Sequence, residues 1–177
     1  MASDEALYER LLGGDLAAFD ALYERHERPL FGFLLSQLDG DRQEAEDVLH
    51  DAFIAVLRER DQGREVRCFR AWIFQVARNL CLNRRRSRQR AARAVVAVAR
   101  EPVARPPLPG HAIEQHEVVQ SLRAAVARLP APLAELYRLR AGGLSYDELA
   151  QTLSLPLGTV KSRMHEMVSR LREEMRR

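Results

Sequence analysis

Six residues near the C-terminus, Thr159, Lys161, Ser162, Arg163, His165 and Glu166, put small, polar and charged side chains into the opening turns of one helical segment. Side chains of that size and kind suit base-pair edges and flanking phosphates in the major groove of DNA. A second cluster, Arg84, Arg85, Arg86, Arg88 and Arg90 with Asn79 and Asn83 beside it, offers a positive field to a polyanion. Phosphate neutralisation by such residues releases counterions and drives non-specific binding. Phe69, Trp72 and Phe74 precede the cluster. Aromatic faces beside basic residues can hold unstacked bases, but large aromatics dominate cores, and Trp72 and Phe74 are expected there.

No constellation for catalysis accompanies these residues. There is no Gly-rich phosphate loop and no G-x-S-x-G elbow, and His165-Glu166 lacks the second His of H-E-x-x-H. His111 and His116 stand without cysteine neighbours, so no metal is expected. Cys68 and Cys81 are thirteen residues apart with no C-x-x-C, which fits buried or half-buried thiols in a reducing cytoplasm. No cofactor and no enzymatic activity are expected. Residues Met1 to Glu5 lack the positive and apolar regions of a signal peptide. The apolar run Leu30 to Leu38 is too short to span a membrane.

The elements that must position these residues are helical. Ser145 and Glu148 form an S-x-x-E capping box, and Leu149, Ala150 and Leu153 give the helix after it one apolar face. Ser154, Leu155 and Pro156 break that helix, since Pro is tolerated only in a first turn. Val160, Met164, Met167 and Leu171 then recur at helical spacing, leaving Thr159, Lys161, Ser162, His165 and Glu166 outward. The pattern is a helix-turn-helix.

Upstream, Leu7 to Leu12 predicts a short helix ended by Gly13 and Gly14. Asp15 caps a helix to about Glu27, with Leu16, Phe19, Leu22 and Tyr23 on one stripe. Pro29 is expected to interrupt it and to open another helix ending near Leu38. Arg42 to Arg60 follows the 3.6-residue period, as does Phe69 to about Arg90. Residues Ala91 to Ala99 extend that helix or fray. Pro102, Pro106, Pro107, Pro109 and Gly110 mark a linker. Helices resume at Ile113 to Leu129 and Pro132 to Arg140. No segment alternates with period two, so the fold class is all-α: two small helical domains, 1–90 and 113–177, joined by a flexible Pro-rich linker, 91–112.

The formal charge of +3 is unevenly spread. Acids outnumber bases up to Val66, whereas Arg67 to Arg100 holds ten arginines and no acid. Glu44, Glu46, Asp47, His50 and Asp51 form either a solvated face or a docking surface for a basic partner.

Three segments together resemble the extracytoplasmic-function group of the sigma-70 family of bacterial RNA polymerase sigma factors. EAEDVLHDAFIAVL is similar to the family's D-A-E-D-x-x-Q-E-x-F helix. FRAWIFQVARNLCLNRRRSRQR is similar to F-x-x-W-L-x-x-I-A-x-N-x-x-x-D-x-x-R-x-x-R, and GLSYDELAQTLSLPLGTVKSRMH to G-L-S-Y-x-E-I-A-x-x-L-G-I-P-x-G-T-V-K-S-R-L. They occur in the family's order with a linker between.

The resemblance implies a sigma region 2-like bundle and a region 4-like helix-turn-helix domain. It implies that Asp47, His50 and Asp51 dock on the clamp helices of the polymerase's largest subunit. Residues Asp61 to Val66 and the next helix start would hold a base flipped from the −10 element. Asn79, Asn83, Arg84, Arg85, Arg86 and Arg88 would contact −10 DNA, and Thr159, Lys161, Ser162, Arg163, His165 and Glu166 the −35 element. The linker would thread the RNA exit path, an anti-sigma factor would cover the polymerase-binding surfaces, and the protein would be cytoplasmic. Departures from the family pattern are His50 for Gln, Asp51 for Glu, Asn83 for Asp, Ser154 for the turn Gly and Glu166 for a common Arg. A carboxylate at 166 repels phosphate, and an unusual or weakened −35 preference is expected. A free-standing helix-turn-helix regulator is the alternative; it predicts tight binding to palindromic half-sites by the protein alone.

Overall fold

The computed structural model describes residues 2–62, 66–96 and 113–176. The linker prolines and His111 lie outside them, as do residues 63–65 of the loop expected to hold a flipped base. Eight helices are present among the described residues: α1 (Asp4–Leu12), α2 (Leu16–Gln37), α3 (Arg42–Gln62), α4 (Phe69–Val96), α5 (Ile113–Ala127), α6 (Ala131–Ala141), α7 (Tyr146–Leu153) and α8 (Leu157–Met175).

Local chemistry fixes several boundaries. Ser3 caps α1, its Oγ accepting from the Ala6 amide at 3.1 Å, so this helix begins a turn earlier than its apolar pattern. Asp15 caps α2 through the Ala17 amide at 3.0 Å. The Ser145–Glu148 capping box forms as expected at the start of α7.

Two expectations about α2 are corrected. Pro29 lies inside one continuous helix rather than between two. Ala18, Leu22, His26, Leu30, Phe33 and Leu34 are all buried, a stripe that runs straight through the proline. Burial of that stripe outweighs the single backbone hydrogen bond that Pro29 lacks. Leu16, assigned to the apolar stripe, is 61% exposed because it sits in the first turn, outside the bundle.

Helices α1 to α4 pack as a bundle, and α5 to α8 form the second domain. Trp72, Phe69 and Phe74 are buried, as their size predicts. Phe69, Trp72 and Tyr8 form an aromatic cluster with centroids 5.5 to 5.7 Å apart. His26 enters the same core, 5.3 Å from the Phe69 ring, with its Nε2 2.8 Å from Asp4 Oδ2. Arg25 donates to the other Asp4 oxygen at 2.8 Å. Burial drives the His26 pKa down against the pull of Asp4, and the nearby Arg70 and Arg25 charges add to the fall. Burial also opposes ionisation of Asp4, yet the Arg25 and His26 contacts carry its pKa below the ordinary value.

The two domains are in contact. Helix α7 packs on α4, and α6 on α2. No pattern in the sequence foretold this contact.

Candidate nucleic-acid interface

Helix α8 stands on α5, α6 and α7 through buried Val160, Met164, Met167 and Leu171. Its opposite face carries exposed Lys161, Ser162, His165 and Glu166, with Thr159 and Arg163 partly exposed. The spacing sends these side chains outward as expected. Ser162 Oγ donates to the Thr159 carbonyl at 3.0 Å, a bond within the helix that leaves the hydroxyl oxygen free to accept. Glu166 accepts from Arg170 Nε one turn on, at 3.0 Å. Arg170, not singled out from the sequence, thereby extends the exposed face and neutralises its carboxylate. Behind the face, Ser154 takes the left-handed conformation (φ 53°, ψ 46°), so the missing turn glycine carries a steric cost.

Helix α4 presents Asn79, Asn83, Arg85, Arg86, Arg88 and Arg90 to solvent. Two arginines of the cluster are paired with acids of α3. Arg84 bonds Asp51 of α3 at 2.7 Å, and Arg88 reaches buried Glu44 at 2.6 Å. Asp51 and Arg84, assigned to different partners, thus hold each other. Glu44 is 7% exposed and leaves the acidic docking face. Asp47 and His50 remain exposed on α3 as expected, beside Glu46, which pairs with Arg42 at 2.9 Å. Cys81 is buried and its thiol is pushed up to about 11, first by burial and then by Glu44. Burial likewise raises the half-buried Cys68.

The start of α4 opens into a cavity of about 130 Å³ lined by Val66, Arg67, Cys68, Ala71, Trp72 and Gln75, and by Gln151 of α7. Four further contacts join α4 to the second domain. Arg78 binds Glu135 through two bonds, Nε to Oε1 at 2.6 Å and Nη2 to Oε2 at 3.1 Å. Arg70 donates to the Gly142 carbonyl at 3.1 Å, and Thr152 Oγ1 to the Ala71 carbonyl at 3.1 Å. Phe74 approaches Gly142 so closely that a Cβ there would lie 2.8 Å from its ring. These residues escaped sequence reasoning because each pair is at least 57 positions apart.

Residues 22–91 match sigma-70 region 2, and residues 119–171 match sigma-70 region 4. The chain is 30% identical over 170 residues to the RNA polymerase sigma-H factor of Pseudomonas aeruginosa, covering 91% of this chain and 88% of that one. It is 33% identical over 162 residues to the ECF RNA polymerase sigma factor SigL of Mycobacterium tuberculosis, covering 89% of each. The chain is a sigma factor of the extracytoplasmic-function group. A solved relative, RpoE of Bartonella quintana in complex with the anti-sigma factor NepR, superposes with a TM-score of 0.67 at 26% identity, over 89% of this chain and 96% of that one. As a sigma factor the protein serves transcription initiation and is not an enzyme. Its helix-turn-helix, α7 and all but the last four residues of α8, falls within the DNA-binding region 4.

Proposed function

We propose that this sigma factor binds core RNA polymerase through the exposed Asp47 and His50 of α3, with Asp51 beside them, and brings promoter DNA to two separate helices. Residues 1–90 carry polymerase binding, −10 recognition and melting. Residues 113–177 carry −35 recognition, and the Pro-rich stretch between α4 and α5 follows the RNA exit path; α4 itself runs on to Val96, past the boundary at 90 expected from the sequence. On α4, Asn79, Asn83, Arg85 and Arg86 meet −10 DNA, joined by Arg84 and Arg88 when they leave their acids. On α8, Thr159, Lys161, Ser162, Arg163, His165 and Glu166 face the −35 element.

The observation that carries the reading is the order of the two matched regions, each with an exposed polar or basic helix face. Bases captured at the start of α4 offset part of the cost of unpairing them, roughly a few kcal/mol. The complex of the Bartonella relative with NepR supports control of this protein by an anti-sigma factor. No described helix is long and apolar enough to cross a membrane, and we place the protein in the cytoplasm with its polymerase. The region 2 match leaves a free-standing regulator without support, since such a protein has no need of α3 and α4 in this form.

The test is transcription in vitro with purified core polymerase, this protein and fragmented genomic DNA. Discrete start sites sharing upstream elements are expected. Operator-sized footprints by the protein alone, without starts, overturn the proposal.

A further inference from the structure

We propose that Glu5 is a positioning residue for base capture: from α1 it caps the first turn of α4 and so holds the wall against which an unpaired base is taken. That role rests on the start of α4 being where bases are captured.

The first amides of a helix have no partner within it, and a side chain just upstream ordinarily supplies one. None of the four residues before Phe69, namely Glu65, Val66, Arg67 and Cys68, is a Ser, Thr, Asp or Asn. The amides of Ala71 and Arg70 face the thiol of Cys68, a weak acceptor. The Phe69 amide is met from 64 positions away, donating to Glu5 Oε1 at 3.3 Å. A carboxylate there also meets the positive end of the helix dipole.

Glu5 is aimed by its own helix. Ser3 caps α1, Asp4 pairs with Arg25 and His26 of α2, and Leu7, Tyr8 and Leu11 are buried. Tyr8, one turn beyond Glu5, stands behind the same surface, its ring centroid 5.5 Å from Phe69 and 5.7 Å from Trp72. Trp72 in turn lines the cavity of about 130 Å³ together with Arg67, Cys68 and Gln75. Helix α1 precedes residues 22–91, which match region 2, and so adds a brace to the matched fold. Helix ends open at little cost in free energy. Loss of the acceptor lowers the fraction of molecules with a formed first turn, and the apparent affinity for a captured base falls with that fraction.

Holoenzyme of core polymerase and the full chain is titrated with a labelled single-stranded oligonucleotide and read by fluorescence anisotropy. The oligonucleotide carries the non-template −10 sequence of a promoter mapped by transcription. A companion set replaces each of its bases in turn by an abasic site. Glu5→Ala removes the acceptor, and Glu5→Gln keeps a carbonyl oxygen for the Phe69 amide. Glu9→Ala takes the same charge from an exposed position of α1.

Glu5→Ala is expected to weaken binding of the intact oligonucleotide roughly fivefold and to leave affinity for core polymerase unchanged. The loss should vanish on the oligonucleotide that lacks the captured base. Glu5→Gln should recover most of the affinity, and Glu9→Ala should match the native chain. No weakening, or equal weakening on intact and abasic oligonucleotides, overturns the proposal. So does a loss shared by Glu9→Ala, or a Glu5→Gln chain as weak as Glu5→Ala. Arg67→Ala combined with Gln75→Ala tests the capture site itself. If their effect disappears at one abasic position while that of Glu5→Ala does not, the role of Glu5 alone is wrong. If their effect is the same on every oligonucleotide, the start of α4 captures no base and both readings fall.

Discussion

Asp51 of α3 and Arg84 of α4 bind each other at 2.7 Å, joining the acidic surface proposed for polymerase to the basic surface proposed for DNA. Their side chains are 45% and 32% exposed, so the pair contributes at most about 1 kcal/mol to stability. Asp51→Asn is expected to leave the melting temperature nearly unchanged. It should release Arg84, tightening binding to a single-stranded oligonucleotide while weakening binding to core polymerase. Separate titrations against each partner check both directions. Equal weakening on both sides would show that the pair orders α4 rather than competing for Arg84.

Ser154 bears left-handed backbone angles at the turn between α7 and α8. Glycine has no Cβ to crowd the carbonyl, so Ser154→Gly is expected to stabilise the fold by roughly 1 kcal/mol. Denaturant melts of both proteins decide it. A loss of stability would mean that chain entropy outweighs the steric relief.

Glu166 and Arg170 neutralise each other on the exposed face of α8. Glu166→Arg reverses the charge and frees Arg170. Duplex promoter binding by holoenzyme is expected to tighten, its salt dependence to steepen by about one unit in log–log slope for each added phosphate contact, and the −35 preference to shift. Unchanged affinity and preference would remove Glu166 from the set of residues that determine specificity.

Burial holds the His26 pKa in the fold below its ordinary value of 6.5. As pH falls below that value the unfolded chain gains its proton before the native chain does, so stability declines. Asp4, with its pKa held below 3.8, adds a further loss at lower pH, through its folded value. His26→Gln keeps a donor for Asp4 without a titrating ring. Its stability is expected to fall less steeply as pH drops below 6.5 than that of the native protein, as measured by urea melts at a series of pH values. A parallel profile would place the titrating group elsewhere.

The helix-turn-helix was legible in detail. Capping at Ser145, the break at Pro156 and the stripe through Val160, Met164 and Met167 are local signals, and local geometry obeys them. Pro29 misled because propensity is local whereas the stripe from Ala18 to Leu34 is satisfied only by packing against other helices, α1, α3, α4 and α6. The pairings of Arg84 with Asp51 and Arg78 with Glu135 were invisible for another reason. Charge patterning shows which residues are alike, and only the folded chain shows which acids reach them. Arg67 to Arg100 read as wholly basic, yet α3 and α6 lend it three carboxylates.

The two helices proposed to read DNA differ in access. Lys161, Ser162 and His165 of α8 stand in solvent while Arg78 and Phe74 of α4 lie beneath the second domain. That cover rests on contacts whose two sides lie 57 or more positions apart in the chain. Closing a loop of that size costs only about 0.6 kcal/mol more for each doubling of its length. Insertions between α4 and α5 are therefore expected to change the cover over Arg78 very little.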